Sequence, residues 1–324
     1  MTSITEIEVP DTSEKVYEGK VQVHLRSKGY NKAQRLAIFT DRISAGDERL
    51  GFPIKNKGRI LVWSTVFFKQ LLEDIVPNDI ISCDQDYSLA CGGINKDRKK
   101  YWNRALLIRE VTQIPVECIA RSYLVGSLHE AYQNDQPFPL GYHLPEGMKK
   151  FDKLKTPIFT PSIKNKEGHD TNITYRQLVE FLREWLAREE NRHFKIDARI
   201  LAQLLRSTTL AIFRAGSDYL YDNDLVLADW KGEFGFYLCD GEVILVWSDE
   251  GITPDTARIW RKESCGKGMI PVGLDKDAVR NWISEHDGNR DVPYDVRAKT
   301  AEAYKTFAHL VLPKEYLCKI YEEP

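Results

Sequence analysis

The chain of 324 residues is 42% hydrophobic and 29% charged, which is typical of a globular protein with two domains or one large domain. Its net charge of -2 favours neither nucleic acid nor an acidic membrane surface as a partner. No apolar run approaches the ~18 residues of a membrane span, the polar N-terminus lacks a secretory signal, and six dispersed cysteines indicate a reducing compartment. We therefore expect a cytoplasmic protein with no nucleic-acid or membrane partner.

Short strands dominate the first third of the chain. Helical spacing predicts one helix there, over residues 61–76, ending before Pro77. Many short strands ahead of long helices predict an α+β first domain. Alternating apolar residues predict strands near residues 16–17, 21–25, 35–39, 80–83 and 105–111.

Three short polar segments have compositions that suit ligand binding. A turn at Gly19 and Lys20 can bring backbone N–H groups and one ammonium group to phosphates, although most such turns are only turns. Residues 40–47 crowd acids, an arginine and a serine at a strand end, which favours a polar site. Gly126 and Ser127 open a helix whose N-terminus can bind an anion or can be an ordinary cap.

Two longer polar stretches have no clear periodicity. Residues 141–172 form one of them, and a stretch of that length inside a compact domain predicts a functional loop. Residues 96–100 (KDRKK) form the one basic cluster, which lacks interleaved aromatic residues. The basic cluster at residues 96–100 is therefore interpreted as a solvated loop.

Helices dominate the second part of the chain. Thr174 and Gln177 are spaced as a capping box at the start of one helix. Asp197 is in position to cap a second helix that runs toward residue 216. Two more helices are predicted over residues 277–286 and 296–312.

A predicted hairpin between residues 225 and 258 combines two apolar runs with an unusual density of acids. Because successive side chains of a strand point to opposite faces, Asp229, Lys231 and Glu233 share one face of its first strand. That face is either a solvated charged surface or part of a metal site, and the residues alone favour neither alternative.

The length of the hairpin turn decides which acids meet. A two-residue turn at Asp240 and Gly241 sets Glu233 opposite Ser248 and leaves Asp249 on the far face. A three-residue turn sets Glu233 opposite Asp249, with the two Cβ atoms within about 5.5 Å. Two carboxylates that close suit a bound cation such as Mg²⁺.

Seven motifs occur in the order found in one enzyme family. They are YEGKV at 17–21, TDRISA at 40–45, PVECIARSYLVGS at 115–127, FTPSIKNKEGHD at 159–170, ADWKGEFG at 228–235, DEGITPDTARIW at 249–260 and LDKDAVR at 274–280. From residue 17 to about residue 312 the chain resembles phosphoribosylaminoimidazole-succinocarboxamide synthase (SAICAR synthetase). The resemblance implies a two-lobed α+β fold. A mainly antiparallel β-rich lobe would span 1–114, a larger α/β lobe would span 115–324, and ATP would bind in the cleft between them.

The resemblance also implies a ligase of de novo purine biosynthesis. It would join the carboxylate of carboxyaminoimidazole ribotide (CAIR) to the amine of L-aspartate, using ATP and Mg²⁺, and give SAICAR, ADP and phosphate. A carboxylate is a poor acyl donor, so phosphorylation would first form an acyl phosphate for the amine to attack. Such an enzyme needs cations for several anions and a carboxylate pair for Mg²⁺. The resemblance is compatible with a monomer or a small homo-oligomer.

Roles carry over from the family motif by motif. The ATP phosphates would contact Gly19, Lys20 and Val21, and a three-residue turn would let Glu233 and Asp249 share Mg²⁺. The residues expected to act in catalysis are Lys231, Glu233, Asp249 and Arg258. The residues expected to bind CAIR or aspartate are Arg121, Ser127, Arg258, Arg280, Asp229, Asp41, Arg42, Ser44, Asp47, Lys164 and His169.

The chain also departs from the pattern of many relatives. Two of the departures remove side-chain bulk near the expected site, at Gly46 and Gly232. They leave two alternatives open: a related ATP-dependent amide ligase with another carboxylate or amine, and a catalytically silent nucleotide-binding protein. The intact acids and lysines argue against the second alternative. The full set of departures is Gln22, Gly46, Ser122, Trp230 and Gly232.

Overall fold

The computed structural model describes residues 3–9, 13–27, 33–46, 48–84, 101–134, 138–165 and 170–322. The predictions made for Asp47, His169 and the basic cluster at 96–100 lie outside these ranges. Within them, no helix has the length and apolar character needed to cross a membrane.

In the ranges that the structure describes, the strands form two main sheets and a short separate hairpin, and the strand pairs are antiparallel. Numbered along the chain, the strands are β1 (Ser13–Glu18), β2 (Gln22–Ser27), β3 (Gln34–Phe39), β4 (Arg42–Ala45), β5 (Glu48–Pro53), β6 (Ile80–Ser82), β7 (Ala105–Arg109), β8 (Thr112–Gln113), β9 (Val116–Tyr123), β10 (Lys153–Phe159), β11 (Ser162–Ile163), β12 (Thr171–Asn172), β13 (Leu225–Cys239), β14 (Glu242–Ser248) and β15 (Ala257–Arg261).

The first sheet has the strand order β1-β2-β3-β7-β6, while β4 and β5 pair only with each other. This sheet confirms the strands predicted in the first third of the chain. Val23, Leu25, Leu36 and Ile38 alternate along β2 and β3 and form a small core on one face. Ala37 and Phe39 of β3 face the main core instead.

The second sheet is built around β13. Its path is β12-β11-β9-β13-β14, and β8 and β15 also pair with β13. The fifteen residues of β13 allow it to pair with β9 and β15 along its first half and with β14 and β8 along its second half. Strands from residues 112–123 and 242–261 therefore meet at this strand.

The helices cover the second sheet and close the main core. In chain order they are α1 (Lys57–Leu71), α2 (Gly126–Asn134), α3 (Tyr175–Ala187), α4 (Ala198–Asp222), α5 (Asp277–Glu285), α6 (Tyr294–Val311) and α7 (Lys314–Tyr321).

Local signals located most helix starts correctly. Thr174 and Gln177 form the predicted capping box at the start of α3, and the Asp197 carboxylate accepts from the first backbone N–H groups of α4. The helices predicted over 277–286 and 296–312 are confirmed as α5 and α6. The helix predicted over 61–76 starts four residues earlier and ends at Leu71.

Two expectations about regular structure were wrong. Residues 141–172 are not a structureless loop, because they contain β10, β11 and β12, which pair with β9 and with each other. The helix α7 was missed; it follows Pro313, whose fixed φ suits a helix start.

The main core crosses the expected lobe boundary at residue 115. Helix α1 lies in the first part of the chain, yet its Phe67 contacts Tyr219 of α4 and Tyr316 of α7. Strand β8 also precedes residue 115 but pairs with β13. The architecture is α+β with two sheets, and the division into lobes 1–114 and 115–324 stays a prediction.

Candidate active site

The hairpin of β13 and β14 has a two-residue turn, so the expectation of a three-residue turn was wrong. Glu233 pairs with Ser248, as the two-residue alternative requires. Asp240 and Gly241 have φ values of 51° and 85°. Positive φ at both turn positions gives the type I′ turn that matches the twist of a hairpin.

Asp249 nevertheless lies in the same cavity as Glu233. The two-residue alternative placed Asp249 on the far face, assuming that side chains continue to alternate past Ser248. Strand β14 ends at Ser248, and Asp249 has a φ of 58°, so the alternation stops there. The strand end, and not the register, brings the two carboxylates into one cavity of about 170 Å³.

This cavity lies between the two sheets. The first sheet and α1 supply an apolar and partly polar wall made of Tyr17, Gln22, His24, Arg35, Ala37, Phe39, Leu106, Ile108, Lys69 and Asp79. The opposite wall is polar and consists of Gln113, Lys164, Glu233 and Asp249. The apolar part of the first wall, formed by Ala37, Phe39, Leu106 and Ile108, suits a flat apolar part of a ligand, and the charged groups around it suit a charged part.

Two ammonium groups contact Glu233, which is 4% exposed. Lys164 Nζ lies 2.6 Å from Glu233 Oε2, and Lys231 Nζ lies 3.5 Å from Glu233 Oε1 and 2.6 Å from Glu117 Oε1. Burial lowers the pKa of Lys231, but Glu117 and Glu233 outweigh burial and raise that pKa well above its ordinary value. Lys231 is therefore a cation here, suited to bind an anion but not to act as a base.

Glu233 and Asp249 fit Mg²⁺ by their chemistry. Mg²⁺ binds carboxylate oxygens, and it usually takes only one or two carboxylates together with phosphate oxygens and water. Within the described ranges no group of three or more His, Cys, Asp or Glu side chains is placed to hold a metal ion. An acid pair without a third protein ligand matches a cation that is shared with a phosphate.

A buried carboxylate at the other end of β13 joins two arginines. Asp229 Oδ2 accepts from Arg121 Nη1 at 2.9 Å and from Arg258 Nη1 at 2.5 Å, and Asp229 Oδ1 accepts from the Arg258 backbone at 3.0 Å. Burial alone would raise the pKa of Asp229, but the two arginines outweigh burial and lower it. The carboxylate is therefore charged and fixes both guanidinium groups.

The start of α2 lies against these arginines. Arg121 Nη2 donates to Ser127 Oγ at 2.9 Å. Gly126 has a φ of 54°, and a Cβ at this position would lie 3.0 Å from Arg258 Nη1, so glycine allows both the turn and the close approach. Burial lowers the pKa of Arg121 to about 10, which leaves it charged at neutral pH. Guanidinium groups at a helix N-terminus suit a phosphate or a carboxylate.

Arg280 joins the arginine group through a second carboxylate. Asp277 Oδ1 lies 3.0 Å from Arg280 Nη1 and 3.4 Å from Arg258 Nε. Three arginines thus share two carboxylates, Asp229 and Asp277, while burial and Asp277 raise the pKa of the nearby Asp275 well above its ordinary value and so weaken its negative charge. The resulting excess of positive charge suits an anionic ligand.

The turn between β1 and β2 borders the cavity. Gly19 N donates to Gln22 O at 2.8 Å, and Val21 O accepts from Thr40 N at 2.9 Å. Lys20 is exposed at this turn, while the flanking Tyr17 and Gln22 line the cavity. The structure thus brings the predicted phosphate turn to the cavity that contains the acid pair.

Asp41 does not line this cavity, and its expected contact with a ligand on the substrate side stays a prediction. It is fully buried, and its oxygens accept from Gly58 N at 2.9 Å, Arg104 Nη1 at 3.3 Å and Ile4 N at 2.8 Å. These contacts fix the start of α1 and the N-terminal segment. Within the described ranges, Asp41 thus joins the N-terminal segment to the start of α1.

Arg42 and Ser44 are also held by the frame of the fold. Arg42 Nη1 and Nη2 lie 3.1 Å from Glu18 and 3.3 Å from Glu6, respectively. Ser44 is buried in β4 opposite Arg49. Neither residue is part of the cavity wall, so the structure does not bring them together with the acid pair.

Known proteins of one family match this chain over most of its length. A sequence model of the SAICAR synthetase family matches residues 15–294. The chain belongs to the SAICAR synthetase family.

Individual relatives match it closely enough to compare whole chains. The phosphoribosylaminoimidazole-succinocarboxamide synthase of Maridesulfovibrio salexigens is 36% identical over 276 residues, which cover 83% of this chain and 85% of the relative. The synthase of Lachnospira eligens is 33% identical over 306 residues, covering 94% and 96%. A solved SAICAR synthase from Saccharomyces cerevisiae, complexed with SAICAR, has a TM-score of 0.78 at 26% identity and covers 95% of this chain and 98% of its own.

Two of the departures from the SAICAR synthetase pattern form one packing unit. A Cβ on Gly232 would lie 2.4 Å from the ring of Trp230, so the indole fills the space that a side chain at 232 would need. Trp230 is fully buried and contacts Trp247 edge to face. Both residues lie on the face of β13 opposite Lys231 and Glu233, so the expectation that Gly232 opens space beside the site was wrong.

Sequence reasoning missed several members of this SAICAR synthetase site. Glu117 binds Lys231, and Gln113 Nε2 donates to Glu233 Oε2 at 3.2 Å. Glu117 belongs to the PVEC motif and shares the parity of Arg121 on one strand, a signal that could have identified it. Lys69 Nζ and Asp79 Oδ1 lie 2.6 Å apart in the cavity wall, and no local sequence pattern predicts that contact.

Proposed function

We propose that this chain is an ATP- and Mg²⁺-dependent ligase that joins CAIR to L-aspartate and gives SAICAR, ADP and phosphate in purine biosynthesis. The observation that carries the proposal is the single charged face of β13. Asp229 orients the arginine group, Glu233 lies in the cavity, and Lys231 stands between them. One strand thus connects an anion site to a carboxylate pair.

The cavity between the sheets would hold ATP. Its apolar side, which includes Phe39, Leu106 and Ile108, suits the adenine ring of ATP. The acids and Lys164 lie on the other side, where the phosphates and their cation would bind. The exposed Lys20 at the neighbouring turn would contact the phosphates from outside. Mg²⁺ held by Glu233 and Asp249 would neutralise charge on the phosphates.

The arginine group would bind the ribotide. Arg121, Arg258 and Arg280 carry one more charge than the two carboxylates they share, and the N-terminus of α2 adds backbone N–H groups. A ribotide has a phosphate and a carboxylate, and planar guanidinium groups bind both in a defined orientation.

Lys231 would act where the two ligands meet. Its raised pKa keeps the ammonium charged, so it would orient the reacting carboxylate and stabilise negative charge on the acyl phosphate. Lys164 would do the same from the cavity side, since it also contacts Glu233. The amine of aspartate would then attack the acyl carbon and phosphate would leave.

Contacts to aspartate, the cytoplasmic location and the oligomeric state stay predictions. Asp41 and Arg42 are engaged in the frame of the fold and do not support the expected aspartate site. Asp47 and His169 lie outside the described ranges.

The test is an assay of the purified full chain with ATP, Mg²⁺, CAIR and L-aspartate, following ADP and SAICAR together. We expect turnover that requires all four components and falls by at least about 100-fold in Glu233→Gln. Glu180→Gln, at an exposed position of α3, is the matched control and should leave turnover unchanged. Turnover only with another carboxylate or amine would favour the related ligase, and nucleotide binding without turnover would favour the silent protein.

A further inference from the structure

The side chain of Gln22 reaches from the first sheet to the acids of the second. Its Nε2 atom lies 2.9 Å from Asp249 Oδ1 and 3.4 Å from Glu250 Oε1. Its Oε1 atom lies 2.9 Å from His24 Nε2. Gln22 and His24 are 5% and 6% exposed, so water does not replace these contacts.

The Asp249 carboxylate determines the direction of the hydrogen bonds through Gln22. Glu250 is the more distant partner, and burial together with Asp255 raises its pKa to about 7. An ionised carboxylate only accepts, so the amino group of Gln22 faces Asp249 and the amide oxygen faces His24. His24 Nε2 therefore carries the proton and donates it to Gln22 Oε1. Burial, together with Arg35, lowers the pKa of His24 to about 3, so the ring is neutral and keeps this one proton at neutral pH.

The backbone of Asp249 is fixed by a separate contact. Lys69 Nζ donates to Asp249 O at 2.8 Å and to Asp79 Oδ1 at 2.6 Å, and Lys69 is 1% exposed. With the main chain held there, the carboxylate of Asp249 retains only the rotation of its side chain. Gln22 is the side chain that restricts that rotation.

The neutrality of Gln22 also affects the charge around the acid pair. The charges that line the cavity balance, because Glu233, Asp249 and Asp79 oppose Lys164, Lys69 and Arg35, and Lys231 is paired with Glu117. A lysine or arginine at position 22 would add a positive charge beside Asp249. A neutral amide orients Asp249 without competing with a cation for it.

We propose that Gln22, oriented by His24, is a positioning residue that holds the Asp249 carboxylate ready for the divalent cation and adds no positive charge beside it. This inference rests on the metal part of the proposed function. Side chains that orient a metal-binding carboxylate typically change metal affinity by about 10–100-fold when they are replaced. Gln22→Met removes the amide at similar size, and Gln22→Lys adds a charge.

The experiment measures Mn²⁺ binding to the full chain by electron paramagnetic resonance in the presence of saturating ADP, without CAIR or aspartate. We expect Gln22→Met to weaken Mn²⁺ binding by about 10-fold and Gln22→Lys by more. His24→Gln keeps a donor toward Gln22 and should bind nearly as the unchanged protein, whereas His24→Phe removes the donor and should weaken binding. Gln203→Met on the exposed side of α4 is the matched control.

A melting curve of each variant separates folding from positioning. Weaker Mn²⁺ binding at an unchanged melting temperature supports the inference. Equal Mn²⁺ affinity in Gln22→Met and the unchanged protein overturns it, as does equal loss in His24→Gln and His24→Phe. Since the experiment uses no substrate, failure of the ligase reaction would leave the result on Gln22 standing, and the two failures can be distinguished.

Discussion

Replacing His24 by glutamine should remove a pH dependence of folding that the buried ring creates. The pKa of His24 is lowered from 6.5 to about 3 by burial and by Arg35. The unfolded chain therefore takes up a proton near pH 6.5, whereas the folded chain stays neutral until about pH 3. Stability from this group is complete above pH 6.5 and is lost progressively as the pH falls toward 3.

The size of the change in stability follows from the shift in the pKa of His24. Each pH unit below 6.5 costs about 1.4 kcal/mol of folding free energy, so His24 should cost about 2 kcal/mol at pH 5. Glutamine has no such ionisation but keeps a donor toward Gln22. The stability of His24→Gln relative to the unchanged protein should therefore rise by about 2 kcal/mol between pH 7.5 and pH 5.

Urea denaturation of both proteins at pH 7.5, 6.5, 5.8 and 5.0 measures this difference. Other carboxyl groups titrate in both proteins and cancel in the comparison. Parallel stability curves over this range would refute the neutral state assigned to the buried His24 ring. A difference that appears above pH 7 would point to lost packing instead.

Three further changes test contacts that hold the site and the fold. Lys69→Met should destabilise the protein by about 3–5 kcal/mol, because it leaves the buried Asp79 carboxylate without its cation. Urea denaturation should show that the double variant Lys69→Met/Asp79→Asn recovers part of the lost stability. Gly126→Ala should lower the free energy of unfolding by about 1–2 kcal/mol, because alanine disfavours the positive φ at this position. It should also raise the KM for CAIR, since the new Cβ meets Arg258, and an unchanged KM would contradict the anion site at α2. Thr174→Ala should lower the free energy of unfolding by about 1 kcal/mol, because it removes the capping box of α3. An unchanged midpoint of urea denaturation would contradict that role.

Local chemistry made the helix starts predictable, because a cap is decided within a few residues. Thr174 and Asp197 satisfy backbone N–H groups two or three positions away, and the sequence shows both partners at once. The shared face of Asp229, Lys231 and Glu233 was predictable for the same reason, since alternation along one strand needs no knowledge of its neighbours.

Contacts between distant parts of the chain were not predictable in this way. Glu117 and Lys231 lie 114 positions apart, and they meet because β9 and β13 are neighbours in the second sheet. The turn length was misjudged because the family resemblance required Glu233 and Asp249 to meet, and only strand pairing was considered as the means. The positive φ of Asp249 supplies the same proximity at the end of β14.

The buried charges of β13 are better explained by ligands than by stability. Asp229 and Glu233 are 5% and 4% exposed, and each contacts two cationic side chains. Buried ion pairs of this kind are often matched or exceeded in stability by apolar side chains of similar size, because desolvation offsets their attraction. The opposite face of the same strand shows that alternative, since Trp230 and Phe234 pack there without charge. Only the face that borders the cavity and the arginine group keeps its charges, which is the distribution expected when anionic ligands and a cation must bind there.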